Sequence, residues 1–132
     1  MKVTNGDIFN SGESLGMLSR MRLPVLVSLQ VAKLSSKLNE TTRIIEGVRN
    51  GLVNTYGQQQ ESGEVVVVFP NDPLNRPVSP DWEKFVTEFN ELMSQEVELD
   101  VGKIKLPQEV DGKSLQIEPS ILIALEKFID VE

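Results

Sequence analysis

The feature that most constrains this chain is a periodic apolar run between residues 24 and 56. Val27, Val31, Leu34, Leu38, Ile45, Val48, Leu52 and Tyr56 recur at steps of three and four, with Thr41 bridging the gap. The spacing predicts one continuous helix over residues 24–56. Pro24 suits its first turn, where a missing N–H costs nothing, and Gly57 suits a left-handed stop. At roughly 1.5 Å per residue the rod is about 50 Å long, more than a compact domain of this size requires. Its first third adds Val25, Leu26, Leu29 and Ala32, so it reads as apolar on most sides and central to the core. Arg43, Glu46, Arg49 and Asn50 mark the exposed side further along. Gly47 and Gly51 lie four apart in the same helix and leave two alternatives: a flat strip where another backbone approaches closely, or fraying near the helix end.

The flanking elements are shorter. Residues 2–10 read as an extended lead-in broken by a turn at Asn5-Gly6, and residues 11–21 as a helix with Leu15, Leu18 and Met21 on one side. Residues 58–63 form a polar loop. Residues 64–69, with four consecutive valines before Phe69, are the best strand, buried on both faces or pairing with another chain at a sheet edge. Residues 70–80 hold four prolines and read as a stiff connector, a hinge or contact arm. Ser79-Pro80-Asp81 opens a second helix, with Trp82, Phe85, Val86, Phe89, Leu92 and Met93 on its apolar face. Alternation from residue 96 to 106 suggests a half-buried hairpin or bent strand, followed by an Asp111-Gly112 turn and a brief strand at Leu115 and Ile117. Pro119 starts a terminal helix carrying Ile121, Leu122, Leu125, Phe128 and Ile129. The expectation is a single α+β domain over residues 1–132: a long central helix (24–56) packed with two or three shorter helices and a small, mostly antiparallel sheet, the connector at 70–80, and a helix, strands and terminal helix over 80–132.

Composition narrows the chemistry. The chain contains neither histidine nor cysteine. Serine–histidine and cysteine–histidine catalysis, zinc fingers and disulfides are therefore excluded, and the commonest general base is missing. No phosphate-binding glycine loop is present. The best candidate for chemistry is the trio Glu96, Glu98 and Asp100, whose alternation places three carboxylates on one strand face where magnesium or calcium could sit. Half-burial of Val97, Leu99 and Val101 produces the same alternation without any ligand, and that plainer explanation is preferred. Asp81 with Glu83, and Glu88 with Glu91, read as solvated helix acids. No catalytic, cofactor-binding or metal-ligating residue is assigned, and no cofactor is expected.

The charge is uneven. Residues 1–57 carry 7 Lys/Arg against 4 Asp/Glu, a net of +3, and residues 58–132 carry 6 against 16, a net of −10. Either the basic half packs against the acidic half, or the two signs form a surface for head-to-tail contact or for a charged partner. An acidic chain with one Trp and one Tyr is a poor nucleic-acid binder. No apolar run is long enough to span a bilayer, and Met1-Lys2-Val3-Thr4-Asn5 leads into polar sequence without a secretory signal, so an intracellular protein is expected.

Residues 1–57 also resemble the start of a group of small, uncharacterised bacteriophage proteins. The resembling stretches are Met1-Lys2-Val3-Thr4-Asn5-Gly6-Asp7-Ile8-Phe9, the Leu23-Pro24 break, Val31-Ala32-Lys33-Leu34 with Lys37-Leu38, and Arg49-Asn50-Gly51-Leu52 closing on Tyr56-Gly57. The resemblance implies phage origin, hence the host-cell cytoplasm or the virion, and carries no activity or site residue with it. Three functional classes follow, in this order: a non-catalytic, multi-copy virion or assembly component contacting itself or other phage proteins; a host-directed inhibitor binding a bacterial enzyme or defence protein; and a metal-dependent enzyme using acidic residues.

Overall fold

The computed structural model describes residues 1–131. In chain order it has β1 (Lys2–Thr4), α1 (Asn5–Ser19), α2 (Val25–Tyr56), β2 (Gln58–Gln59), β3 (Val65–Val66), α3 (Trp82–Ser94), β4 (Glu96–Glu98), β5 (Ile104–Leu106), β6 (Glu109–Val110), β7 (Lys113–Ser114), α4 (Pro119–Ala124) and β8 (Ile129–Val131). The fold is α+β, with the long α2 packed on shorter helices. In place of a single sheet, the described residues form four two-stranded ladders: β1–β4, β2–β3 and β6–β7 antiparallel, β5–β8 parallel.

The 32-residue α2 is continuous, including the β-branched stretch at Thr41-Thr42. Val31, Leu34, Leu38 and Ile45 are buried as the periodicity requires, while Leu52 is only half-buried. Gly57 does end the helix, but not as a left-handed stop. Its backbone is extended (φ −84°, ψ 173°), and glycine is needed because a Cβ there would collide with the Val53 carbonyl oxygen and come within 2.8 Å of that of Val66. The hairpin β2–β3 is thus folded tightly against the helix end.

Helix α1 begins six residues earlier than the sequence suggests, and Asn5-Gly6 is not a turn. Thr4 caps the helix: its hydroxyl accepts from the Asp7 N–H at 3.1 Å, and the Asp7 carboxylate accepts from the Thr4 N–H at 2.9 Å. A reciprocal cap of this kind is worth about 1 kcal/mol and outweighs the turn preference of the dipeptide. Asn5 and Gly6 then serve as a docking point. The Asn5 N–H donates to the Gln95 carbonyl at 2.9 Å and its side-chain amide to the Leu92 carbonyl at 2.9 Å, and a Cβ on Gly6 would lie 3.2 Å from the Met93 carbonyl oxygen. The start of α1 is therefore pinned to the end of α3.

The main core joins β1, α1, one face of α2 and the last third of the chain. Val3, Ile8, Leu15, Leu18, Val31, Leu34, Leu38, Leu99, Ile104, Leu106, Ile121, Leu125, Phe128 and Ile129 meet there, each buried aliphatic side chain contributing roughly 1.5–3 kcal/mol. Ile45, Val68 and Phe85 are buried outside that cluster, beside an aromatic group in which Phe69 meets Trp82 edge-on and Phe85 stacks on Phe89 at 5.7 Å.

The C-terminal elements pair differently from the expected hairpin or bent strand. β4 lies against β1, with Val97 opposite Val3, whereas β5 lies parallel to β8, with Ile104 opposite Ile129. A parallel pair needs a crossover, and α4 lies on that connection. The terminal helix accordingly stops at Ala124. Phe128 and Ile129 reach the core from the turn and strand that follow it, not from a helical face. Asp111-Gly112 is the turn expected, with both residues at positive φ (54° and 78°) closing β6–β7 as an Asp-Gly hairpin favours. The flanking strand is Lys113–Ser114. Leu115 and Ile117 lie beyond it, half-buried against the core.

Candidate interaction surface

Each residue group singled out in the sequence has a definite place. Glu96, Glu98 and Asp100 are exposed. Lys2 reaches Glu96 at 3.3 Å, and the Met1 amine lies 3.5 Å from Glu98 while donating to the Leu99 carbonyl at 2.7 Å. Cross-strand pairing with β1 thus sets positive charge beside the acidic face. Among the described residues no group of three or more Asp or Glu is gathered tightly enough to hold a metal ion. Asp81 pairs with Lys84 at 3.6 Å. The Glu88 carboxylate, on α3, acts on the Tyr56 hydroxyl at the end of α2 and raises the tyrosine pKa. The basic and acidic halves meet through Lys2–Glu96, Arg22–Asp111 at 3.2 Å and Lys127–Asp7 at 2.8 Å. Burial opposes ionisation of Asp7, but hydrogen bonds from Lys127 and Thr4 outweigh it and hold the carboxyl below its ordinary 3.8.

The valine strand and the proline-rich connector are tied to each other where the connector ends. Only Val65 and Val66 join a ladder. Val68 bonds to the connector: its N–H donates to the Ser79 hydroxyl at 2.8 Å, and the Ser79 N–H donates back to the Val68 carbonyl at 2.9 Å. Ser79, fully buried, is thus a staple between strand and connector and not the cap of α3. Within the connector the Asp72 carboxylate accepts from the Arg76 backbone N–H and from two guanidinium nitrogens, at 2.9, 3.0 and 3.0 Å. Those side-chain and backbone bonds bring the Asp72 pKa down to about 2. Asn71 and Asn75 take left-handed conformations (φ 64° and 53°) that asparagine tolerates, closing the turn. Strand and connector thus form one closed loop, most of whose connector residues, Leu74 and Val78 among them, stay exposed. Beside them an open groove of about 590 Å³ carries Arg49, Asn50 and Glu64, with no histidine or cysteine to act as base or nucleophile.

A further uncovered surface lies on α2. Leu26, Leu29 and Ile44 are 74%, 49% and 65% exposed, and Val25 and Val48, beside them, are also exposed. The first third of α2 is therefore not enclosed by the core. At 3.6 residues per turn, positions 26, 29, 33, 36, 40, 44, 47 and 51 fall in a second stripe on the side away from Val31, Leu34, Leu38 and Ile45. Single exposed leucines are ordinary; here Leu26 and Leu29, with Val25 beside them, form one exposed apolar patch, and Ile44, with Val48 beside it, forms a second about four turns on. Gly47 and Gly51 belong to this stripe, and a Cβ at either would meet nothing within 4 Å. No backbone of this chain approaches them, and the helix continues to Tyr56. The residues of this surface were visible in the sequence, because a helix packed on one side buries a single stripe and Leu26, Leu29 and Ile44 fall off it. Among the described residues no helix is long and apolar enough to cross a membrane. Searches against protein-family models, characterised proteins and solved structures find no match to this chain.

Proposed function

We propose that this chain is a non-catalytic bacteriophage protein that works through protein–protein contacts, as a multi-copy component of the virion or of its assembly. The observation that carries this reading is the outer stripe of α2, where Leu26, Leu29 and Ile44 stand in solvent on a rigid rod anchored by its opposite face. A rigid helix presenting apolar side chains loses little conformational freedom on docking, so its contacts translate efficiently into affinity. The phage assignment rests on the resemblance of residues 1–57. The lack of histidine and cysteine favours contact over catalysis.

The test is quantitative mass spectrometry of purified particles from a phage encoding this chain, with wild type compared to a Leu26→Glu/Leu29→Glu variant. The wild-type chain should be present in many copies, and the variant should fold but fail to incorporate. A chain absent from particles and assembly intermediates overturns the virion reading. Recovery in stoichiometric complex with one host enzyme would replace it with host-directed inhibition.

A further inference from the structure

We propose that the outer face of α2 pairs with the same face of a second copy, antiparallel, about a two-fold axis passing between Ser36 and Lys37. This deepens the reading of the chain as a multi-copy assembly protein and rests on it.

The argument is one of self-complementarity. In an antiparallel pair with its axis at that midpoint, Leu26 lies opposite Gly47 of the second copy, Leu29 opposite Ile44, and Lys33 opposite Glu40. Each pair occurs twice by symmetry. Apolar meets apolar, lysine meets glutamate, and the largest protruding leucine meets a residue with no side chain. Gly47 has open space where a Cβ would be, and helices that pack side by side approach to about 8–10 Å, a distance at which a glycine accepts a leucine against the backbone. Neither Lys33 nor Glu40 makes an ion pair within the chain among the described residues. Both are exposed, free to engage across the axis.

The charges also select orientation. A parallel, in-register pair would set Lys33 against Lys33 and Glu40 against Glu40, two repulsive contacts in place of two attractive ones. The antiparallel arrangement satisfies Lys33, Glu40 and the apolar positions in one register; Lys37, exposed beside the axis, lies near its own counterpart, and its long side chain turns outward to water.

Sedimentation velocity of the full chain, with charge reversal, is the test. Wild type at about 100 µM should contain a species of twice the chain mass, an ordinary regime for a modest helix interface. Lys33→Glu or Glu40→Lys alone creates two like-charge contacts and should weaken the dimer about tenfold or more. The double reversal restores opposite signs and should recover the wild-type constant to within about threefold. Because the chain has no cysteine, register is read by oxidative cross-linking. Ser36→Cys should link to itself, and Leu26→Cys should link to Gly47→Cys but not to itself. A wild type that stays at 14.7 kDa, reversals that do not rescue one another, or efficient self-linking of Leu26→Cys would each overturn the pairing. The presence of wild-type chain in particles is read independently of this dimer, so failure here leaves the assembly reading standing, and chain missing from particles leaves the dimer measurement intact.

Discussion

Leu38→Ala and Leu26→Ala delete the same three carbons from the same helix and should differ severalfold in cost, because only one of the two leucines is covered. Leu38 is 2% exposed and Leu26 is 74% exposed. Removing three buried carbons costs roughly 2.4 kcal/mol at about 0.8 kcal/mol per methylene. The cavity left in the core cluster to which Leu38 belongs raises the total into the range of about 2–5 kcal/mol. For Leu26 only the covered quarter of the transfer applies, roughly 0.6 kcal/mol, and alanine is at least as good a helix former. In a domain of this size 1 kcal/mol moves Tm by about 3–5 °C. Leu38→Ala should therefore melt about 10 °C or more below wild type, and Leu26→Ala within about 3 °C. Urea denaturation followed by circular dichroism gives the free energies directly, provided the slopes match and the chain is dilute enough to sediment as a monomer. Equal costs under those conditions would place Leu26 in the core and remove the basis for the outer surface of α2.

Ser79→Ala removes the acceptor of the buried Val68 N–H and should cost about 1–3 kcal/mol, with faster proteolysis within residues 70–78 as the companion readout. The Asp72 carboxyl, at about 2 in the folded chain against 3.8 ordinarily, contributes stability that is fully present above pH 3.8 and lost as pH falls through 2. Acid unfolding of Asp72→Asn should lack that increment, and identical acid limbs for the two proteins would contradict it. Gly57→Ala, whose Cβ collides with backbone, should destabilise by about 1–3 kcal/mol, whereas Gly51→Ala, in open space on a helix, should stabilise by up to about 1 kcal/mol. Replacing Glu96, Glu98 and Asp100 with glutamine or asparagine should shift stability by well under about 1 kcal/mol per site. Calorimetric titration with magnesium should give no binding heat that the triple variant loses.

Local patterns were legible in the sequence alone. The helix over residues 24–56 became Val25–Tyr56, because a 3.6-residue period sustained over many turns admits one conformation. Asp111-Gly112 was legible for the same kind of reason, since the φ angles of that turn belong to the two residues themselves. The inward stripe of Val31, Leu34, Leu38 and Ile45 could be read from spacing without knowledge of what it packs on. The partners could not. β1 finds β4 and β5 finds β8 through contacts between residues far apart in the chain, and two- or three-residue strands carry too little pattern to encode a partner or a direction. Asn5-Gly6 looks like a turn until α3 supplies the carbonyls that dock it, and Ser79 looks like a helix cap until the Val68 N–H claims its hydroxyl. The candidate surface divides along the same line. The apolar residues Leu26, Leu29 and Ile44 are written in the sequence, but their exposure was decided only when α1, α3 and the C-terminal elements all closed over the other side of α2. Periodicity reports which residues share a face. Which face is covered depends on how many neighbours the rest of the chain can supply, and this chain supplies enough for one.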